Sequence, residues 1–227
     1  MPKLTVSDLL RNKRNLEAVA LQLFVKQGFH GTSIRDIARA SGVSIGNIYN
    51  YYKTKEDLYK AIAEHYETRM QALRASAIEG MEDLFDPAAL LQFAGRLREI
   101  VHHETDYWRL MYIDVTEFGN QHFAHIYRSL ARDLKSKLGS KLRQPQRGDW
   151  TGVDPALAFT SIYLQFFTYF LVETLFGGKQ HLGVPDELAI RQMITIYSRG
   201  LGLQNSHAAK KTAKQEKNHV PLARKNH

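Results

Sequence analysis

The 227-residue sequence predicts an all-α protein. Three observations carry that expectation. Apolar residues recur three and four apart through the long segments, capping residues and glycines punctuate them, and no run alternates apolar and polar positions as a strand would. The same pattern divides the chain into a basic N-terminal unit over residues 10–70, a helical unit over 71–204 and a basic tail over 205–227 that reads as disordered.

In chain order, residues 11–27 form an amphipathic helix with Leu16, Val19, Ala20, Leu23 and Phe24 on one stripe, ended by Gly28. Ser33 caps a short helix in which Ile34, Ile37, Ala38 and Ser41 share a face, and Gly42 ends it. Val43 plugs the turn, Ser44 caps the next helix, and Ile48 and Tyr52 face inward from it. Thr54 followed by Asp57 resembles a capping box, so a long helix starts near Lys55 and runs toward Ala77 with Leu58, Ile62, Tyr66 and Met70 on one face. Gly80 and Pro87 mark a boundary between residues 70 and 86. Asp86 then opens a helix to about His103. Glu104 or Thr105 opens another to about Phe118, and Gly119 with Asn120 turns into a third ending near Gly139. Residues 144–155 read as a loop. Asp154 and Pro155 start a strongly apolar helix to Phe176, and Pro185 precedes a last helix carrying Leu188, Ile190, Ile194, Tyr197 and Leu201.

Residues 33–52 have the spacing of a helix-turn-helix: Ala38 is small at the crossing, Gly42 turns the chain and Ile48 locks the second helix. Outside that lock, Ile45, Gly46, Asn47, Tyr49, Asn50 and Tyr51 form a surface rich in groups that read DNA.

These residues resemble the DNA-binding domain of the TetR family of bacterial transcriptional regulators. The resemblance lies in Thr32 and Ser33, Ile37 and Ala38, the SGVS ending at Ser44, Gly46, Ile48 and Tyr49, the Tyr51–Tyr52 pair, and Lys55 with Leu58. Asn50 departs from it, standing where many members carry histidine or tyrosine. The DNA-binding set expected on this pattern is Thr32, Ser33, Arg35, Ser44, Ile45, Gly46, Asn47, Tyr49, Asn50, Tyr51 and Lys55. Ile45, Gly46 and Asn47 are expected to approach base edges, with Asn50 one turn on, while Tyr49, Tyr51 and Lys55 hold phosphates. The resemblance further implies that 71–204 is a ligand-binding and dimerisation domain whose last two long helices form a four-helix bundle with a second copy.

Charge agrees with a nucleic-acid partner. The net charge is +8, but residues 1–60 hold ten basic against five acidic side chains and the tail six against one, flanking a middle of fifteen against seventeen. Basic ends around a slightly acidic centre suit phosphate contact by the N-terminal unit. The chain has no cysteine, which excludes disulfides and thiolate metal sites and fits a reducing cytoplasm. The first ten residues lack the apolar core of a signal peptide.

Residues 155–172 carry no formal charge and approach the length of a membrane span, yet Thr160, Ser161, Gln165 and Thr168 interrupt them and Glu173 follows. A helix apolar on all sides needs cover on all sides, which a second copy can supply; no membrane partner is expected. Trp108, Tyr112, Tyr127, Tyr163, Gln165 and Phe167 are candidate lining for an apolar or aromatic small-molecule inducer, although most aromatic residues of this region serve packing. Asp114, Glu117, His122 and His125 form the one cluster with metal-ligand chemistry, at spacing that leaves convergence open, and no metal or other cofactor is expected. No nucleophile stands beside a base, and no glycine loop could cradle a phosphate, so the chain is not read as an enzyme. The expected function is a homodimeric repressor that binds a palindromic double-stranded DNA operator and is released by a small molecule. The alternatives are a metal-dependent enzyme with an incidental helix-turn-helix and a nonspecific DNA-coating protein.

Overall fold

The computed structural model describes residues 6–126, 132, 134–136, 138, 139, 151–178 and 180–200. Among them every regular element is a helix: α1 (Val6–Gln27), α2 (Ile34–Ser41), α3 (Ile45–Tyr51), α4 (Lys55–Ala77), α5 (Pro87–His103), α6 (Thr105–Phe118), α7 (Pro155–Phe176) and α8 (Asp186–Gly200). Residues 124–126 open a further helical turn. The tail beyond 204, the loop from 144 to 150 and Tyr127 lie outside the described residues.

The helix boundaries follow the capping chemistry. Ser33 and Thr54 each accept from the backbone N–H three residues on, while Asp36 and Asp57 reach back to the capping residue's own N–H. Asp86 and Asp154 cap α5 and α7 ahead of a proline in the first turn. Gly42, Gly119 and Gly177 end α2, α6 and α7 in the left-handed conformation, which a side chain would oppose. The α1 helix begins at Val6, about one turn earlier than its apolar stripe announces, because that turn lies beyond the stripe. The 79–86 segment is a loop, but Met81, Leu84 and Phe85 plug it into the core, so the break between sequence units is a packed joint.

Helices α1, α2 and α3 form the N-terminal unit, with α4 running from it into the second. There α5 packs against α4, α7 and α8, while α6 packs against α4 and α7 and also reaches back to α1. On α7, Phe159, Ile162, Phe166 and Phe170 are buried, as a helix closing a core requires. It is long and apolar enough to cross a membrane by length and composition, and 44% of its apolar window is buried within the chain.

Candidate nucleic-acid interface and effector cavity

The candidate reading head is assembled by burial on one side of α3. Ile48 is fully buried where α3 packs against α2, and Tyr52 donates its hydroxyl to the buried Glu17 carboxylate of α1. Glu17 also meets His65 of α4 at 3.0 Å, so one buried carboxylate ties α1, the end of α3 and α4 together. Burial, with Glu17 alongside, pushes the Tyr52 phenol far above its ordinary range and keeps it a donor. The Ser44 hydroxyl accepts the Asn47 N–H at 3.3 Å, fixing the start of α3. What remains outside is Ile45, Gly46, Asn47, Tyr49 and Asn50, all exposed, with the Asn50 amide 3.4 Å from the Asn47 carbonyl oxygen. Exposed apolar Ile45 and Tyr49, 40% and 50% accessible, have no place in a core and suit a groove with base and sugar edges.

Other members of the expected DNA-binding set stand differently. Ser33 and Arg35 are exposed at the start of α2, and Tyr51 is half-buried against Tyr52. Thr32 is 1% exposed and spends its hydroxyl on the Gly28 carbonyl, so its side chain supports the loop. The Lys55 ammonium donates to the Phe29 and Thr32 carbonyls, both at 2.7 Å, and lies 4.1 Å from the centre of the Phe29 ring. Burial pulls its pKa below the ordinary lysine value, with Glu117 working against the shift.

Glu117, at the C-terminal end of α6, grips the same loop. Its carboxylate accepts the Phe29 N–H at 3.1 Å, the His30 N–H at 2.7 Å, and faces His30 Nδ1 at 2.5 Å. Burial raises its pKa, but the hydrogen bonds from His30 and Phe29 outweigh that and hold it below the ordinary carboxylate value. An aromatic junction fills the space behind: Phe29 and Tyr59 lie 4.5 and 4.7 Å from Phe118, and Phe24 lies 5.6 Å from Tyr59. The Tyr59 hydroxyl donates to the Leu110 carbonyl of α6 at 2.7 Å. Sequence spacing gave no sign of this joint, since its hydrogen bonds to α6 span 51 to 88 positions.

Asp114 turns elsewhere. Fully buried, it accepts the His122 and Phe123 N–H groups and faces His122 Nδ1 at 2.6 Å, closing the turn after α6. Glu117 belongs to the loop joint and His125 is exposed, so the four do not converge. Among the described residues no three His, Asp or Glu side chains are placed to hold a metal ion.

Trp108, Tyr163 and Phe167 of the expected effector lining do come together. They surround, with Arg74, Tyr107, Met111 and Ile126, a cavity of about 10 Å³ between α4, α6 and α7. Trp108 donates to the Val101 carbonyl at 2.9 Å, and Tyr163 and Phe167 stack with centroids 5.9 Å apart. Tyr112 is 45% exposed and meets Phe176 on the outer surface, and Gln165 is half-buried outside the cavity wall. Absent from the sequence reading is a charged network at the wall. Glu67 accepts from Arg74 at 2.6 Å and from the Tyr107 hydroxyl at 2.7 Å. Burial opposes the Arg74 charge, yet Glu67 leaves its pKa above the ordinary value.

Comparison with known proteins bears on both regions. Residues 17–62 match the family model described as bacterial regulatory proteins, tetR family. The HTH-type transcriptional regulator YvkB of Bacillus subtilis (strain 168) is 26% identical over 193 residues, covering 84% of this chain and 96% of that protein. The HTH-type transcriptional regulator AcrR of Shigella flexneri is 37% identical over 73 residues, which cover 32% of this chain and 34% of AcrR. Among solved structures, FadR from Bacillus subtilis in complex with stearoyl-CoA shares the fold at a TM-score of 0.59 and 15% identity, over 81% of this chain and 96% of FadR. The matched model spans the capped helix pair, Ile48 and the start of α4, the residues that build the reading head. Residues 17–62 are a DNA-binding domain of the tetR family of bacterial regulatory proteins, and the chain that carries it is a DNA-binding transcriptional regulator.

Proposed function

We propose that the protein is a cytoplasmic homodimeric repressor that binds a pseudo-palindromic operator and leaves it when a mostly apolar small molecule enters the cavity beside Trp108, Tyr163 and Phe167. The observation carrying the DNA half is the seating of α3: Ile48 and Tyr52 are buried, while Ile45, Gly46, Asn47, Tyr49 and Asn50 are presented outward as one surface. Residues 10–70 form the DNA-binding domain and 71–204 the effector and dimerisation domain, with α4 shared between them.

The dimer reading rests on exposed apolar side chains of the last two helices. Leu157 and Leu164 stand two turns apart on one face of α7, 66% and 38% exposed, and α8 presents Leu188 and Ile196, 43% and 68% exposed. A second copy related by a two-fold axis would cover them and set two α3 helices at half-site spacing. Release requires a ligand that prefers an arrangement in which those helices no longer match the grooves. The α4 helix and the Glu117 joint on α6 both run from the cavity region to the reading head, which supports transmission along two elements.

Selection from random duplex DNA tests this reading. Enrichment of an inverted repeat with half-sites a helical turn or a multiple apart is expected, and a selected pool without symmetry would overturn the operator and dimer together.

A further inference from the structure

We infer that the effector is an apolar or aromatic molecule bearing a carboxylate, and that its carboxylate takes the Arg74 guanidinium away from Glu67. The inference rests on the reading above that the cavity beside Trp108 is the effector site. Its observation is the juxtaposition of Arg74 with that cavity: apart from this guanidinium and the Tyr hydroxyls, the wall is built of carbon-rich side chains including Trp108, Met111 and Phe167. A buried ion pair is a poor way to stabilise a core, because packed apolar residues of equal volume do as well or better. Arg74 and Glu67 are nevertheless held at 18% and 10% side-chain exposure.

The geometry gives the pair a second use. Arg74 is a fixed fork of donors, suited to a carboxylate in a two-point contact, and Glu67 meets it from within the chain at one point, Nη2 to Oε1. Glu67 has somewhere to go. It borders a separate cleft of about 730 Å³ between α4 and residues 121–125, lined also by Lys60, Thr68 and His125. Rotation into that cleft would return its carboxylate to water. The cavity holds about 10 Å³, the room of a single water at most, so the ligand body must part the stacked Tyr163 and Phe167 rings as it enters.

Exchange would also loosen a crosslink. Glu67 lies on α4, as do its donors Arg74 and Gln71, while its donor Tyr107 lies on α6, so the 2.7 Å Tyr107 bond fastens to each other the two helices that hold the reading head. A ligand carboxylate that takes Arg74 and the Tyr107 hydroxyl leaves α4 and α6 joined through the ligand instead. The differential contact is therefore made where the two arrangements differ, as a switch requires.

Calorimetry on the full chain tests this with three matched sets: benzoate, 4-phenylbutyrate and decanoate, each beside its alcohol and its amine. At least one carboxylate should bind roughly tenfold or more tighter than both counterparts, the scale of a charged hydrogen bond. Arg74→Gln should abolish that preference while leaving alcohol binding within about threefold, and Arg74→Lys, which keeps the charge, should retain part of it. Glu67→Gln, which removes the internal competitor's charge, should tighten carboxylate binding, a result that a purely structural pair would not give. No carboxylate preference in any set, or a preference unchanged in Arg74→Gln, overturns the inference. Operator binding with each compound separates the two readings. Release by alcohols or amines alone sinks the carboxylate but keeps the repressor, whereas tight carboxylate binding without release keeps the Arg74 site and sinks the induction model.

Discussion

Glu117 and Lys55 hold opposite polarities of one loop: the carboxylate takes the N–H groups of Phe29 and His30, and the ammonium takes the carbonyls of Phe29 and Thr32. The loop joins α1 to α2 and so sets the helix against which α3 is seated. Glu117 comes from α6 and Lys55 from the first turn of α4. Any shift of α6 relative to α4 must therefore stretch this loop or release one of its grips.

Gly28 is a constrained point in that grip. Its φ is +79°, and a Cβ there would lie 2.7 Å from Glu117 Oε1. Gly28→Ala thus adds left-handed strain of about 1–2 kcal/mol and also pushes the carboxylate off its donors. A lower Tm is expected, together with faster amide exchange at Phe29 and His30. Wild-type exchange at those two amides would show that the grip does not depend on the glycine.

The depressed pKa of Glu117 sets a pH window. Because the carboxylate is favoured in the folded state, its contribution is fully present above the ordinary value of 4.5 and is lost as pH falls through the lower folded value. Wild type should be more stable than Glu117→Gln at neutral pH, and the gap should close as pH drops below 4.5. Parallel Tm curves across that range would show that the loop does not sense the charge.

Reading-head substitutions should divide by role. Asn47 is exposed at the start of α3, so Asn47→Ala should relax sequence preference at one base position by about 1–3 kcal/mol with little change in Tm. Lys55→Ala should weaken all duplexes alike and lower the salt slope by about one counterion if the ammonium reaches a phosphate. The structure adds that it should also lower Tm, because two carbonyls lose their donor. A Tm loss with an unchanged salt slope would assign Lys55 to the loop alone.

Local chemistry made most of the fold legible. Ser33, Ser44, Thr54, Asp86 and Asp154 act within four residues of themselves, so their caps can be read from spacing. Ile37, Ile48, Leu58 and Met70 are buried as helical period demands. What spacing could not show are partners brought together by tertiary packing. Glu117 looked like a possible metal ligand beside Asp114 because the two share a helix, yet one turns toward the α1–α2 loop and the other toward His122. Arg74 and Glu67 stand in no local motif of α4, and it is α6 that covers them with Tyr107. Thr32 and Lys55 carry a sequence motif whose placement here includes support of the loop.

The dimer face calls for substitutions chosen by exposure. Phe170 and Ile194 lie on the two helices of the expected seam, but they are 0% and 6% exposed within one chain. Arginine there would bury an unpaired charge in the protomer core and unfold it, whatever the oligomeric state. Leu164 and Ile196, at 38% and 68%, stand outside that core, so arginine at either leaves the protomer intact and places a cation only where a second copy would cover it. Leu164→Arg and Ile196→Arg are expected to keep helical content and Tm within a few degrees at low protein concentration. Sedimentation should then show monomers where wild type is dimeric, and operator affinity should fall because one half-site contact is lost from each complex. Dimers retained by both variants would move the seam off this face of α7 and α8, and a wild type that sediments as a monomer at micromolar concentration would remove the seam altogether.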